Sequence, residues 1–139
     1  MKKKVFFLCT GNSCRSQMAE GLLRQLYGDK YEVYSAGIKP TEVNKRAIEV
    51  MNEIGIDISK QTSKSVNEFT NKPFDIIITV CDNAKESCPF FPCQAERLHW
   101  SFVDPAEATG TPDGITGAFR DVRDQIKSQI TDIFCQLNI

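Results

Sequence analysis

The 139-residue sequence has almost no net charge and a single histidine, His99. Its 17 Lys and Arg residues nearly balance its 18 Asp and Glu residues, so it lacks the broad basic surface that binds a nucleic-acid backbone. No apolar run approaches the roughly 20 residues that a transmembrane helix needs, and we expect neither nucleic acid nor a membrane as a partner. Internal repeats and low-complexity segments are also absent, and an apolar content of 41% argues against disorder.

The start of the chain resembles a secretory signal peptide only superficially. The lysines Lys2–Lys4 precede an apolar stretch, Val5–Cys9, that stops at Thr10. This stretch is shorter than the roughly 7–15 residues of a signal-peptide core, so we predict a cytoplasmic protein. Thiols stay reduced in that compartment, and its cysteines are therefore expected to be catalytic or metal-binding rather than structural.

The six cysteines are too few for a disulfide scaffold, in which cysteine exceeds about 8–10% of residues. They are clustered, with two near the start, three between positions 81 and 93, and one near the end. The six are Cys9, Cys14, Cys81, Cys88, Cys93 and Cys135.

Length and the order of apolar segments predict one α/β domain over residues 1–139. Short apolar runs alternate with helical patterns, which implies a parallel sheet with helices on both faces, an α/β/α arrangement. The segment 75–80 is continuously apolar and β-branched, as expected of a strand covered on both faces. The four predicted strands are Val5–Leu8, Val33–Ala36, Asp75–Val80 and Arg97–Phe102.

Periodic apolar residues predict the first two helices. The second helix lies over 47–54, with Asn44 as its N-cap and Gly55 just past its end. The first helix ends at Gly28 and presents one apolar face, made of Ala19, Leu22, Leu23, Leu26 and Tyr27.

Two further helices are predicted in the rest of the chain. Ser65–Glu68 has the spacing of a capping box and starts a short helix. The segment 105–114 is predicted as a mobile loop, because it is rich in Pro, Gly and Thr. The last helix has the clearest period, with apolar residues at Phe119, Val122, Ile126, Ile130, Ile133 and Leu137.

The segment between the first strand and the first helix predicts an anion-binding loop. Backbone N–H groups in such a position converge on one point, aided by the helix dipole. Gly11 and Asn12 tolerate a positive φ, and Arg15 offers a planar fork for two oxygens. These surroundings favour Cys9 as a nucleophilic thiolate, and Ser16 can donate a hydrogen bond to its sulfur. The residues expected to bind the oxyanion are Thr10, Gly11, Asn12, Ser13, Cys14, Arg15 and Ser16.

This loop resembles the Cys-x5-Arg-Ser signature of the low-molecular-weight protein tyrosine phosphatases, and the resemblance covers the whole chain. It implies a four-stranded parallel sheet flanked by helices, with Cys9 as the nucleophile. It also implies a catalytic acid from an Asp-Pro pair, and Asp104-Pro105 occupies the matching place. A carboxylic acid beside the loop gives the expelled oxygen its proton. Cys14 is either an oxidative backup for Cys9 or a packed side chain, and we favour packing.

Additional thiols distinguish a reductase from a phosphatase. Cys81 directly follows the central strand, and Cys88 comes seven residues later. Since parallel strands end at the same edge of a sheet, Cys9 and Cys81 open onto one crevice if their strands are neighbours. Cys81 can then attack the sulfur of a Cys9–arsenate adduct, and Cys88 can resolve the Cys9–Cys81 disulfide by exchange.

These features are similar to the thioredoxin-coupled arsenate reductases, a branch with the phosphatase fold. The resemblance implies arsenate as substrate, thioredoxin as external reductant, no bound cofactor and a monomer. Gln17 stands where the phosphatases typically have Pro, and Ala106-Glu107-Ala108 stand where they tend to place tyrosines. The matching segments are Cys9–Glu20, Val33–Gly37, Asp57–Ser59, Cys81 with Cys88-Pro89, His99-Trp100, Asp104-Pro105 and Arg120–Ile126.

No metal is predicted. Some relatives bind a monovalent cation near the loop, and Asn12, Glu20, Ser35 and Thr62 offer oxygen ligands here. However, Lys64 is expected to place its ammonium where such a cation would sit.

Four alternatives stay open from the sequence. A zinc site from Cys81, Cys88, Cys93 and His99 lacks the usual C-x2-C pair. Cys93 is also a rival of Cys88 as the resolving thiol. A redox sensor or arsenic-responsive protein would need neither the Arg15 fork nor the Asp104 acid, and a phosphatase acting through a Cys9 phospho-enzyme is the strongest rival.

Overall fold

A computed structural model of the chain describes residues 2–80 and 95–137. Its centre is a four-stranded sheet in which every neighbouring pair is parallel and the strand order is β2-β1-β3-β4. The predicted parallel sheet is therefore confirmed, with the two most apolar strands, β1 and β3, in its interior. The strands are β1 (Lys3–Cys9), β2 (Tyr31–Gly37), β3 (Ile76–Thr79) and β4 (Glu96–His99).

Three α-helices and two short 3₁₀ helices complete the described part of the chain. Helices α1 and α3 pack against each other, and α2 packs against α3. None of these helices has the length and apolar character needed to cross a membrane. The α-helices are α1 (Arg15–Tyr27), α2 (Lys45–Asn52) and α3 (Pro112–Leu137), and the 3₁₀ helices are Val66–Glu68 and Pro105–Glu107.

The predicted caps are present. The Asn44 side chain accepts hydrogen bonds from the N–H groups of Arg46 and Ala47, and Gly55 has a φ of +79° after the end of α2. Ser65 and Glu68 form the expected reciprocal capping box. Local hydrogen bonding between neighbours thus fixes the ends of these elements, as the sequence indicated.

Two sequence expectations need correction. The segment 105–114 is not an irregular loop, because a 3₁₀ helix covers Pro105–Glu107 and α3 already begins at Pro112. Thr111 caps that helix: its Oγ1 accepts from Gly114 N at 3.1 Å, and proline is favoured at the first helical position. Strand β4 ends at His99 rather than Phe102, because its partner β3 ends at Thr79.

Alternating side chains of β1 divide the core between the two faces of the sheet. Phe6 stacks on Phe74 with ring centroids 4.7 Å apart, on the face covered by the chain around the first 3₁₀ helix. Phe7 instead packs against Trp100, which in turn contacts Phe134 of α3. The apolar face of α3 therefore includes Phe134, which the expected period omitted; it follows Ile130 by four residues, and both side chains are fully buried.

The expected apolar face of α1 is correct except at its end. Ala19, Leu22 and Leu23 are fully buried, but 41% of Leu26 is exposed. Met18, which the pattern did not include, is fully buried in its place. The buried side chains of α1 are therefore concentrated in its N-terminal half. This half lies against the sheet and the anion loop.

An ion cluster ties the end of α2 to α3. The Arg120 guanidinium donates to both carboxylate oxygens of Glu53, to Oε1 at 2.9 Å and to Oε2 at 2.7 Å. Arg123 donates at 2.9 Å to the same carboxylate and at 2.7 Å to the Val50 carbonyl. Hydrogen bonds from Arg120, with a further one from Arg123, lower the pKa of Glu53 to about 2.

This cluster predicts an acid-dependent contribution to stability. A carboxyl whose pKa is depressed in the folded state stabilises the fold above its ordinary pKa, and this stabilisation is lost as pH falls toward the depressed value. We expect Glu53→Gln to lower the melting temperature at pH 7, and the difference from wild type to shrink between about pH 4.5 and pH 2. Glu32→Gln, on the exposed side of β2, is the matched control. A difference between wild type and Glu53→Gln that stays constant down to pH 2 would contradict this assignment.

Candidate active site

The loop from Cys9 to Arg15 joins the end of an interior strand to the start of α1. The chain that leaves β2 runs beside this loop and holds it by backbone hydrogen bonds. Ile38 N donates to Cys9 O at 3.1 Å, and Lys39 N donates to Thr10 O at 2.8 Å. The loop is thus fixed on one side before any side chain is considered.

Gly37 makes this close approach sterically feasible. A Cβ at this position would lie 2.7 Å from Thr10 O and 2.8 Å from Asn12 N, both of them backbone atoms that cannot move aside. The end of β2 can therefore meet the loop only through a residue without a side chain.

Asn12 takes the left-handed conformation of the loop, with a φ of 49°. Of the two residues expected to allow a positive φ, Asn12 adopts it and Gly11 does not. The Asn12 side chain is fully buried, and its amide nitrogen donates to Ser16 Oγ at 2.8 Å and to Ser35 Oγ at 3.0 Å. Its oxygen accepts from Lys64 N at 2.8 Å, and this backbone donor fixes the orientation of the amide.

The Cys9 sulfur has two hydrogen-bond partners and is almost completely buried. Asn12 N donates to it at 3.2 Å, and Ser16 Oγ lies 2.9 Å away. Because Ser16 Oγ already accepts from the Asn12 amide, its own hydrogen is available to the sulfur. Two donors are thus aimed at one sulfur, which is the atom expected to act as the nucleophile.

Arg15 and Asp104 come together although they are 89 positions apart in the sequence. An Arg15 guanidinium nitrogen lies 3.6 Å from Asp104 Oδ2, and another donates to Phe102 O at 3.0 Å. Asp104 Oδ1 accepts from Ala106 N at 3.0 Å, as the N-cap of the second 3₁₀ helix. The expected acid is thus held beside the expected oxyanion clamp.

A cavity of about 370 Å³ brings these groups together. Its size lies in the range of small-molecule sites. Of the residues expected to bind an oxyanion, Asn12 and Ser16 are fully buried behind the loop and do not line this cavity. Lys39 and Thr41 also line the cavity, and they were not among the site residues expected from the sequence. Pro40, shortly after a strand, was a signal for a loop at this place. The lining residues are Cys9, Thr10, Gly11, Ser13, Cys14, Arg15, Lys39, Thr41, Asp104 and Ala106.

Cys14 is a poor nucleophile in this position. It is 4% exposed, and burial raises the pKa of its thiol to about 12. The thiol is therefore protonated near neutral pH, which agrees with a packed side chain better than with a reactive backup for Cys9.

Gln17 supports the loop from behind. Its side-chain nitrogen donates to Asn12 O at 3.0 Å and to Thr62 O at 2.9 Å. The Gln61 side chain closes the arrangement by donating to the Gln17 amide oxygen at 2.7 Å. A proline at position 17 could form none of these side-chain hydrogen bonds. Glutamine at this position therefore stabilises the loop in a way that proline could not.

Glu20 is a buried carboxylate with several partners. Ser35 Oγ donates to it through a short hydrogen bond, Arg24 lies at 2.8 Å, and the Lys64 ammonium lies at 4.0 Å. The same ammonium donates to Thr62 O, and burial lowers the pKa of Lys64. Lys64 thus places its charge among the oxygen atoms that were considered as ligands for a monovalent cation. Within residues 2–80 and 95–137, no group of three His, Cys, Asp or Glu residues is arranged to hold a metal ion.

The expected relay cysteines Cys81 and Cys88, and also Cys93, lie outside the described residues. The preceding segment is described, and Val80 N donates to Leu8 O at 2.9 Å. His99, the one non-cysteine residue of the zinc alternative, has its Nδ1 2.7 Å from Thr79 Oγ1.

Comparisons with known proteins agree with this geometry. Residues 4–139 match the family of low molecular weight phosphotyrosine protein phosphatases. An arsenate reductase of Halalkalibacterium halodurans is 50% identical over 129 residues, which are 93% of each chain. A solved structure of an arsenate reductase in the oxidized state aligns with a TM-score of 0.83 at 34% identity, over 96% of this chain and 98% of that one. A low molecular weight protein tyrosine phosphatase from T. tengcongensis aligns with a TM-score of 0.80 at 26% identity, over 97% and 99% of the two chains.

The contact between Ser16 and the Cys9 sulfur predicts a change in reactivity. Losing a hydrogen bond to a charged group costs about 1.5 kcal/mol, so we expect Ser16→Ala to slow alkylation of Cys9 by iodoacetamide at pH 7 about tenfold. The rate is measured by peptide mapping, so that modification of Cys9 is counted separately from that of the exposed Cys135. Ser59→Ala, at an exposed site away from the loop, should react like wild type. Equal rates in all three proteins would show that the Ser16 hydroxyl does not influence the sulfur.

Proposed function

The chain belongs to the low molecular weight phosphotyrosine protein phosphatase family, and we propose that it uses this fold to reduce arsenate to arsenite. One arrangement carries this function: a hydrogen-bonded Cys9 sulfur opens onto the same cavity as the Arg15 guanidinium and the Asp104 carboxyl. The 50% identity to an arsenate reductase over nearly the whole chain supports the choice of arsenate over a phosphate ester. The family's phosphatase chemistry is retained as a weak side activity.

In the proposed first step, the Cys9 thiolate attacks the arsenic of a bound arsenate. A sulfur–arsenic(V) bond forms, and one oxygen leaves as water after Asp104 has given it a proton. Arg15 balances the charge of the remaining oxygens, and the backbone N–H groups of the loop add further donors. The 3.6 Å separation of Arg15 and Asp104 supports this division, because both face the place where the oxyanion would lie.

In the proposed second step, electrons pass from sulfur to arsenic. The Cys81 thiolate attacks the Cys9 sulfur, a Cys9–Cys81 disulfide forms, and the sulfur–arsenic electron pair leaves with arsenic as arsenite. The parallel pairing of β1 with β3 supports Cys81 for this role, since the described chain reaches Val80 beside Leu8, one residue before each of the two cysteines. Cys88 then attacks Cys81, which restores the Cys9 thiolate and leaves a Cys81–Cys88 disulfide.

The reductant in this proposal is a thioredoxin, which returns Cys81–Cys88 to two thiols by exchange. The protein is proposed to act as a cytoplasmic monomer with no bound cofactor. The reducing environment that such a cycle needs is the cytosolic one. Arsenate-dependent NADPH consumption with thioredoxin and its reductase, run beside glutaredoxin and glutathione, identifies the reductant.

A tyrosine phosphatase acting through a Cys9 phospho-enzyme is the alternative. An aryl phosphate would need an apolar surface beside the acid on which its ring could stack. The residue there that lines the cavity is Ala106, and the described lining contains no aromatic side chain. The site therefore suits a small oxyanion better than phosphotyrosine.

The role of Asp104 as an acid predicts dependence on the leaving group. General acid catalysis contributes about 10²–10⁴-fold to a rate, but p-nitrophenolate leaves with little need for a proton. We expect Asp104→Asn to reduce hydrolysis of phenyl phosphate by about 10²-fold or more, and hydrolysis of p-nitrophenyl phosphate much less. Glu107→Gln, an exposed carboxylate in the same 3₁₀ helix, is the control. An equal loss for both esters would mean that Asp104 acts only by holding Arg15.

The relay predicts that reduction and hydrolysis can be separated. We expect Cys81→Ser and Cys88→Ser to abolish multiple turnovers with arsenate and to retain p-nitrophenyl phosphate hydrolysis, which needs only Cys9, an acid and water. Cys88→Ser should also accumulate a Cys9–Cys81 disulfide, detected by peptide mapping after one equivalent of arsenate. Cys135→Ser, at an exposed position on α3, should behave like wild type. Loss of both activities in Cys81→Ser would refute the division of labour.

A further inference from the structure

The cavity at Cys9 contains a second cation that the reaction steps above do not use. Lys39 lines this cavity together with Arg15 and Asp104. It belongs to the chain that follows β2, whereas Asp104 is the N-cap of the second 3₁₀ helix. Lys39 and Arg15 thus border the same cavity, so both are available to an oxyanion bound there.

The backbone of Lys39 is fixed to the loop. Its N–H donates to Thr10 O at 2.8 Å, and the preceding residue, Ile38, donates to Cys9 O at 3.1 Å. Pro40 follows directly, and a residue before proline is restricted to extended backbone conformations. The Lys39 side chain thus starts from a Cα position that is set by the nucleophile loop itself, unlike a lysine on a mobile surface segment.

The charges around the cavity are unequal. Arg15 and Asp104 pair with each other at 3.6 Å, whereas no carboxylate in the described parts of the chain pairs with the Lys39 ammonium. Lys39 therefore adds a positive charge to a cavity that Cys9, Arg15 and Asp104 also line. An added positive charge attracts an oxyanion with two negative charges more strongly than an oxyanion with one.

We propose that Lys39 is a specificity-determining residue that makes this cavity prefer doubly charged tetrahedral oxyanions over singly charged ones. Arsenate loses its second proton near neutral pH, so the preference acts on the proposed substrate in its main form. Arsenous acid, the product, is uncharged near neutral pH and gains nothing from Lys39. The same ammonium therefore favours substrate binding without retaining product.

Two stable anions test this preference without any reductase activity. Sulfate is a dianion and perchlorate a monoanion over the whole neutral range, and both are tetrahedral. Each is titrated as a protector of Cys9 against iodoacetamide, an uncharged reagent, at constant ionic strength. An exposed ion pair contributes only modestly to binding, so we expect Lys39→Met to weaken protection by sulfate about two- to fivefold and protection by perchlorate less.

Further variants separate a local effect from a change in net charge. Lys39→Glu should weaken sulfate protection more than Lys39→Met does, and the loss should diminish as ionic strength rises, because salt screens exposed charges. Lys127→Met removes the same charge from the exposed side of α3 and should protect like wild type. Equal losses for sulfate and perchlorate, or no loss for either anion in Lys39→Met, would overturn the proposal.

The corresponding experiment with arsenate rests on the proposed function, and its result is interpreted separately. If the chain reduces arsenate, Lys39→Met should lower kcat/KM for arsenate by the factor seen for sulfate, with kcat nearly unchanged. A wild-type protein that shows the Lys39-dependent sulfate preference but no arsenate turnover would reject the proposed reductase and uphold this inference. Arsenate turnover, together with equal protection by each anion in wild type and Lys39→Met, would uphold the proposed reductase and reject this inference.

Discussion

The anion loop depends on the buried amide of Asn12. Left-handed backbone costs an ordinary residue roughly 1–2 kcal/mol, and at Asn12 this conformation lets the backbone N–H point at the Cys9 sulfur. The side chain of the same residue offsets the cost through hydrogen bonds to Ser16, Ser35 and the backbone of Lys64, each contributing about 1 kcal/mol. Because Ser16 Oγ accepts a hydrogen bond from the Asn12 amide, Ser16 has its own hydrogen left for the sulfur. One side chain thus sets both the shape of the loop and the direction of the hydrogen bond to the nucleophile.

Behind Asn12, a carboxylate anchors the network. Ser35 accepts from Asn12 and donates to Glu20, so the direction of donation continues from the loop to a buried negative charge. A buried carboxylate is stable only when it is paired and hydrogen-bonded, and Arg24 and Lys64 supply the positive charges here. The polar groups that hold the nucleophile loop are therefore satisfied inside the protein, and the cavity side of the loop remains available to a ligand.

Local sequence signals predicted much of the fold and the loop, because their causes are local. Capping at Asn44 and Ser65 involves neighbours within three residues, and β3 is apolar because it lies inside the sheet with the side chains on both of its faces buried. The position of Lys39 at the cavity could not be predicted from such local signals. It depends on how closely β2 approaches the loop, which Gly37 permits and which no spacing along the chain encodes. The start of α3 was missed for a different reason: Thr111-Pro112 is a helix-start signal, but the surrounding Gly and Pro residues favoured a loop.

The geometry at Cys9 also limits how one fold can serve both hydrolysis and reduction. When a phospho-enzyme is hydrolysed, water attacks phosphorus, and the Cys9 sulfur is the leaving group. In reduction, a thiol must attack the sulfur itself, opposite the sulfur–arsenic bond. Asn12 N and Ser16 Oγ already contact the Cys9 sulfur, so an attacking thiol needs an approach that these two groups do not block. Strand β3 lies directly beside β1 in parallel register, with Thr79 opposite Leu8. Strand β3 ends at the same edge of the sheet as Cys9, and we assign the attacking thiol to the chain that follows it, while the oxyanion loop keeps its role.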